Sequence, residues 1–283
     1  MIRSAITLSL VPEAKGGPFV FWDGIEDACR TAAQLGFDGI EIFPSDAKSL
    51  DPSSIRSVIA ETGLEIAAIG TGAGWVKHQL RFTDPDPAVR EKAIAFASEV
   101  VDLAALFGAP AIIGSLQGRA DPGVERNQAL EFLALALETL GARAEAAGAP
   151  LLYEPLNRYE TNLLNRLGDA ADFVSALRTR NVRLLADLFH MNLEEESLAE
   201  SIRSAGSWVG HVHFADSNRR AVGFGHTPIA PVADALREIR YSGYVSAEVL
   251  PLPDSRTAAT QTIASFRKYF PHVEAPAHSP EDQ

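Results

Sequence analysis

The sequence predicts a closed (β/α)₈ barrel, one α/β domain over residues 1–270, and three observations carry that prediction. Short apolar runs alternate with amphipathic helical stretches, a pattern that demands a parallel sheet covered by helices. The alternation occurs eight times at a spacing of roughly thirty to thirty-five residues, and eight units favour closure of the sheet into a barrel. Four successive late runs each end on Glu, Asp or His, at the strand ends where barrels of this kind place their chemistry. An open doubly wound sheet is the alternative that shares the alternation.

The elements follow in order. Residues 2–10 read as a first strand, 24–35 as a helix and 37–43 as a second, alternating strand. Asp51-Pro52 pairs an N-cap acceptor with a proline at the first helical position, and Gly63 closes the helix it opens. After a third strand at 64–69 comes Gly70-Thr71-Gly72-Ala73-Gly74-Trp75. Its G-x-G-x-G spacing lacks the form of a dinucleotide cradle, so a flexible loop above a barrel is expected. Asp86-Pro87 opens a helix ended by Gly108, residues 110–115 form the fourth strand, and about thirty residues of Ala- and Leu-rich helix reach Gly148. The fifth strand spans 149–153, a helix 168–180 and the sixth strand 182–187. Asn192 with Glu195 has the form of a capping box, placing Glu194, Glu195 and Glu196 in a first helical turn. The seventh strand is 209–213, Thr227-Pro228 is expected to cap the next helix, the eighth strand ends at Glu248, and a last helix spans 255–269. Residues 271–283 are expected to form a loosely ordered tail.

The net charge of -12 argues against a nucleic-acid partner, which would want a basic footprint. Cys29 is the only cysteine, so there is no disulfide framework and the cytoplasm is the expected compartment. No run approaches the roughly 18 consecutive apolar residues of a membrane helix. The apolar stretch at 4–11 is short and alternating, as in a strand and unlike a signal peptide.

Glu154 ends the apolar run Ala149-Pro150-Leu151-Leu152-Tyr153 and opens Glu154-Pro155-Leu156-Asn157-Arg158-Tyr159-Glu160. A carboxylate ending a core strand is costly unless a metal, a proton or a cation compensates it. Asp187, His213 and Glu248 end the next three strands in the same way. Two Glu, one Asp and one His make a hard, oxygen-rich set suited to Mn²⁺, Mg²⁺ or Co²⁺. Four such ligands on an octahedral ion leave about two positions for substrate or water. His211, two residues before His213, points to the same face and reads as a hydrogen-bonded core histidine.

The motifs E-P-L-N-R-Y-E, A-D-L-F-H-M-N-L-E-E, H-V-H-F-A-D-S-N-R-R and S-A-E-V, which span roughly residues 150–250, resemble the sugar isomerase/epimerase family with the xylose isomerase-like TIM barrel. Within it the chain is most similar to the ketose 3-epimerases acting on D-tagatose, D-psicose and L-ribulose. The resemblance implies that Glu154, Asp187, His213 and Glu248 hold one divalent ion, usually Mn²⁺ or Co²⁺. It also implies that Glu160, His190 and Arg219 hold a sugar substrate, and that Glu154 and Glu248 exchange the proton on the carbon beside the carbonyl. Related enzymes are commonly dimers or tetramers, so a homo-dimer or homo-tetramer is an expectation of the same kind. Two positions depart from the pattern: Asp216-Ser217-Asn218-Arg219 replaces the usual Gly-Glu-Asn-Arg, and Leu250 stands where an aromatic residue is common. Trp75, Phe214 and Leu250 are expected to shape the space around the sugar.

Two further functions are compatible with these residues. A lyase or dehydratase on a keto-sugar, keto-inositol or 3-keto-glycoside would use the same metal and base to expel a leaving group. A non-catalytic sugar- or partner-binding barrel would keep the pocket without turnover. No phosphate cradle is evident in the sequence, which favours an unphosphorylated substrate.

Overall fold

The computed structural model describes residues 1–271, and the expected tail from residue 272 onward, His272 included, lies outside the described residues. The elements run β1 (Arg3–Ser9), α1 (Ile25–Leu35), β2 (Gly39–Phe43), α2 (Pro52–Thr62), β3 (Glu65–Gly70), α3 (Ala73–Val76), α4 (Pro87–Ala105), β4 (Ala111–Ile113) and α5 (Arg126–Ala146). They continue with β5 (Leu151–Tyr153), α6 (Leu167–Ser175), β6 (Val182–Asp187), α7 (Leu188–Glu194), α8 (Leu198–Ala205), β7 (Val209–His213), α9 (Ile229–Glu238), β8 (Tyr244–Ala247) and α10 (Ser255–Tyr269). The eight strands pair in sequence order and β8 returns to β1, closing a parallel barrel. The expected fold class is therefore observed, and the open sheet is excluded. No helix among the described residues is long and apolar enough to cross a membrane.

Several boundaries follow from the caps read in the sequence. Asp51 accepts from the backbone N–H groups of Ser53 and Ser54 at 3.0 and 3.2 Å, and Gly63 ends the helix at φ 72°. Asp86 caps α4 in the same manner, and Asp254, a cap not read in the sequence, opens α10. Each such cap is worth about 1 kcal/mol.

Alternation along the strands explains how the barrel is filled. Ala68, Ile112, Leu152 and Leu185 cluster inside it as a dry plug. Two residues beyond Leu152 and Leu185, on the same face, come Glu154 and Asp187; His213 likewise follows His211. The polar mouth is thus the next layer above an apolar one.

Four expectations are corrected. The glycine-rich stretch contains the short helix α3, and its glycines serve close packing: a Cβ on Gly72 would meet the Phe43 ring at 2.6 Å, and one on Gly74 would meet Leu116 at 2.6 Å. The helix before β5 starts only at Arg126, because residues 118–125 form the loop that carries Arg119 and Asp121. Asn192 is no cap. Asp187 itself opens α7, and its Oδ1 accepts from Phe189 N–H at 2.8 Å and His190 N–H at 3.3 Å, so the helix begins before Asn192 is reached. Asn192 then bonds Thr227 Oγ1, Glu194 takes Arg158, Glu195 takes the Leu167 N–H, and α8 is capped by Ser197. Thr227 does not cap α9, whose N-cap is Pro228.

Candidate metal and sugar site

Glu154, Asp187, His213 and Glu248 each follow or end one of β5 to β8, and parallel pairing sets Asp187 beside His213 and His213 beside Ser246. One donor atom from each of the four lies within 4.8 Å of all the others. His213 Nδ1 faces Asp187 Oδ2 at 3.1 Å and Glu154 Oε1 and Glu248 Oε2 at 3.5 Å each. Glu154 Oε1 is buried and has no hydrogen-bond partner. Gly114 makes room for this carboxylate, since a Cβ there would sit 2.6 Å from Glu154 Oε2.

The electrostatics show the strain of this grouping. Burial, reinforced by Glu248 and Asp187 against the pull of His213, raises the Glu154 carboxyl to about 8. Burial raises Glu248 as well, with His213 and Arg219 opposing. Asp187 is also buried, but Arg219, His190 and His213 outweigh burial and hold it far below the usual carboxylate range. Burial opposes charge on His213, yet the surrounding carboxylates, Glu41 and Glu248 foremost, keep its pKa well above the histidine range. Three carboxylates converging on a buried point, one with an orphaned oxygen, together with an imidazole nitrogen, form a donor set that fits a hard divalent cation.

Glu41 on β2 is the residue that sequence reasoning missed. Its Oε1 lies 3.1 Å from His213 Nε2 and its Oε2 lies 2.9 Å from His211 Nε2. The two histidines hold its pKa well below the usual range despite burial. With Nε2–H donated to Glu41, Nδ1 of His213 is the nitrogen turned to the carboxylate cluster, the arrangement that orients a ligating histidine. Glu41, His211 and His213 are also close enough to share an ion. Their contacts, however, use both Nε2 atoms and both Glu41 oxygens in ordinary hydrogen bonds. His211 is thus the hydrogen-bonded core histidine that the sequence predicts.

The other expected residues gather at the same mouth. His190 is buried, and burial pushes its pKa down to about 3, so it is neutral. Its Nδ1 lies 2.7 Å from Asn157 Nδ2, and its Nε2 lies 3.4 Å from Arg219 Nη1 and 3.7 Å from Glu154 Oε1. Asn157 Nδ2 also donates to Glu160 at 2.9 Å. Arg219 Nη1 lies 2.9 Å from Asp187 Oδ2, its Nη2 pairs with Glu248, and its guanidinium stacks over Phe189 at 4.7 Å. Its backbone takes the left-handed φ of 60°. Asp216 holds that loop by accepting from the N–H groups of Ser217, Gly223, Gly225 and Thr227 at 2.8 to 2.9 Å. Gln117, fully buried, bonds the Glu154 carbonyl at 2.9 Å and the Tyr153 hydroxyl at 2.8 Å, fixing the end of β5 from behind. Trp75 and Leu250 line the cavity as expected. Phe214 does not: it is buried against Phe270.

Comparison with known proteins agrees with this fold. Residues 29–269 match the model of the family described as xylose isomerase-like TIM barrel. A D-psicose 3-epimerase from Ruminiclostridium cellulolyticum is 32% identical over 225 residues, covering 76% of this chain and 75% of the relative. A 3-dehydro-D-guloside 4-epimerase from Escherichia coli is 28% identical over 236 residues, 80% of this chain and 87% of the relative. Among solved structures, a D-allulose 3-epimerase from Methylomonas sp. in complex with D-allulose shares the fold at a TM-score of 0.80 and 24% identity, covering 95% of this chain and 98% of that one. With the closed barrel, the strand-end cluster and these relatives taken together, the chain belongs to the xylose isomerase-like TIM barrel family, where it stands with the ketose 3-epimerase-like isomerases.

Proposed function

We propose that this protein is a divalent-metal-dependent sugar epimerase that inverts the carbon beside the carbonyl of a ketose, with Glu154 and Glu248 as its catalytic pair. The observation that carries the reading is the buried, unpartnered Oε1 of Glu154 facing three other ligand-type side chains on consecutive strands. Glu154, Asp187, His213 and Glu248 would hold the ion, with Mn²⁺ the proposed occupant and Co²⁺ or Mg²⁺ the alternatives. Bound there, it would supply Lewis-acid polarisation of the substrate carbonyl.

The chain's own residues do the rest. Glu154 and Glu248, which follow strands three apart round the barrel, would approach a bound sugar from two sides. A proton taken by one carboxylate and replaced through the other inverts the carbon, whereas a single carboxylate would only exchange it. His190, neutral and buried at the same mouth, hydrogen-bonds a substrate oxygen. Arg219 meets negative charge developing on the carbonyl oxygen with a cation that does not titrate. Glu160, held by Asn157, accepts from a sugar hydroxyl.

The test is to strip the protein with chelator, reload it with Mn²⁺, and incubate it with D-fructose, D-psicose or D-tagatose in deuterated water. Deuterium at carbon 3 of a new epimer is the expected result, with Glu154→Gln and Glu248→Gln each lowering the rate by roughly 10²–10⁴-fold. An enone-type ultraviolet absorbance in place of exchange would identify a lyase. Sugar binding with no exchange under any condition would leave a non-catalytic barrel.

A further inference from the structure

The cavity is larger than one sugar needs. A ketohexose has about 12 heavy atoms, and granting each a full water's share of liquid volume, roughly 30 Å³, bounds its requirement at about 360 Å³. The cavity at the carboxyl end of the barrel holds about 780 Å³. Its inner end is the strand-end cluster of buried charges described above. Its outer part is bounded by side chains to which the reaction gives no role.

One outer wall is aromatic. Phe19, in the loop after β1, stacks on Phe43 at the end of β2 with ring centroids 4.5 Å apart and planes 25° from parallel. Gly70 and Gly72 admit the Phe43 ring, and Trp75 on α3 continues the lining, left 36% exposed. The polar rim carries two arginines held by carboxylates, with Lys15 and Glu13 of the loop after β1 lining the cavity beside them. Arg81 pairs with Asp84 at 3.0 Å and with Asp121, and Arg119 lies 3.5 Å from the same Asp121. Arginines already matched by carboxylates give a phosphate little to bind, but paired guanidinium and carboxylate groups offer donors and acceptors to hydroxyls. An apolar ring wall facing a neutral hydrogen-bonding rim is the chemistry that receives a pyranose, whose C–H face packs on aromatic carbon.

We infer that the outer part of the cavity is a second sugar subsite, and that the substrate is a neutral keto-sugar carrying a glycosyl substituent on the end remote from its carbonyl. The inference rests on the keto-sugar reading given under the proposed function.

Calorimetric titration of the full-length, Mn²⁺-loaded protein with D-fructose and with two keto-disaccharides, lactulose and isomaltulose, reads the subsite through affinity and not through rate. At least one disaccharide should bind roughly tenfold or more tightly than fructose. Trp75→Ala should narrow that ratio by roughly three- to tenfold, and Trp75→Phe should restore most of it. Equal affinity for fructose and both disaccharides overturns the subsite, as does a Trp75→Ala variant that weakens all sugars by one common factor. Deuterium exchange on the same sugars separates the two readings. A disaccharide preference in binding without exchange on any sugar supports the subsite and defeats the epimerase reading; exchange that favours free fructose does the reverse.

Discussion

At the scale of the single residue, Glu41 is the most instructive side chain. It touches none of the sugar-holding residues directly, yet it accepts hydrogen bonds from Nε2–H of both His211 and His213 and so decides which nitrogen of His213 faces the carboxylates. Glu41→Gln leaves one acceptor oxygen for two N–H donors and turns an amide N–H₂ toward the other ring. We expect this variant to stay folded and to lose roughly 10–100-fold in Mn²⁺ affinity. Unchanged affinity in a Mn²⁺ titration would remove Glu41 from the site. The sequence held a signal for it. Glu41 lies in phase with Gly39 and Phe43 on an alternating strand, which reads as a solvent-facing edge; in an all-parallel barrel both strand faces are covered, so the polar phase must point inward. The four strand-end residues were legible because each breaks an apolar run at its end, while Glu41 sits inside one.

At the scale of the element, Asp187 shows why the region after β6 was misread. One carboxylate oxygen caps α7 and the other faces the cluster, so a single residue serves as helix start and as ligand candidate. The Asn192 and Glu195 pattern lost to this earlier cap, because a helix already under way leaves no free N–H groups for a second one. The loop after β7 is organised in a comparable way by Asp216, whose four backbone bonds hold the turn that puts Arg219 at positive φ. Those N–H donors outweigh burial and hold Asp216 below the usual aspartate range. Its contribution to stability is therefore full above about pH 4 and is lost as the pH falls through the lower, folded value. Asp216→Asn puts donors against donors and should cost about 1.5–3 kcal/mol in denaturant unfolding at neutral pH, with part of the acid-side slope removed. A variant with wild-type stability and pH profile would show that the loop is held by something other than Asp216.

At the scale of the whole molecule, the barrel was legible because its evidence is periodic and redundant: eight repeats survive a few misplaced boundaries. The size of the mouth was not, because it depends on how loops after β1, β2 and β3 pack against one another, and sequence spacing carries no record of that. The barrel also concentrates unfavourable charge. It brings Glu154, Asp187 and Glu248 within 4.8 Å at a buried point, with Glu154 and Glu248 both raised by burial. Folding assembles this cluster and unfolding disperses it, so a divalent ion that binds the cluster favours the native state through mass action. At a hundred times its dissociation constant such an ion stabilises by about 2.7 kcal/mol. For a chain of this size each kcal/mol moves the midpoint by about 2–4 °C, so saturating Mn²⁺ should raise Tm by about 5–10 °C. EDTA should reverse the shift, and Glu154→Gln should abolish most of it while leaving the metal-free Tm equal to or above that of the unmodified protein, because the amide enters the buried mouth without the protonation that burial forces on Glu154. A Tm that ignores Mn²⁺, Co²⁺ and Mg²⁺ alike would mean that Arg219 and His213 balance these carboxylates through their contacts with them, and that the cluster is an ion-pair network in its own right.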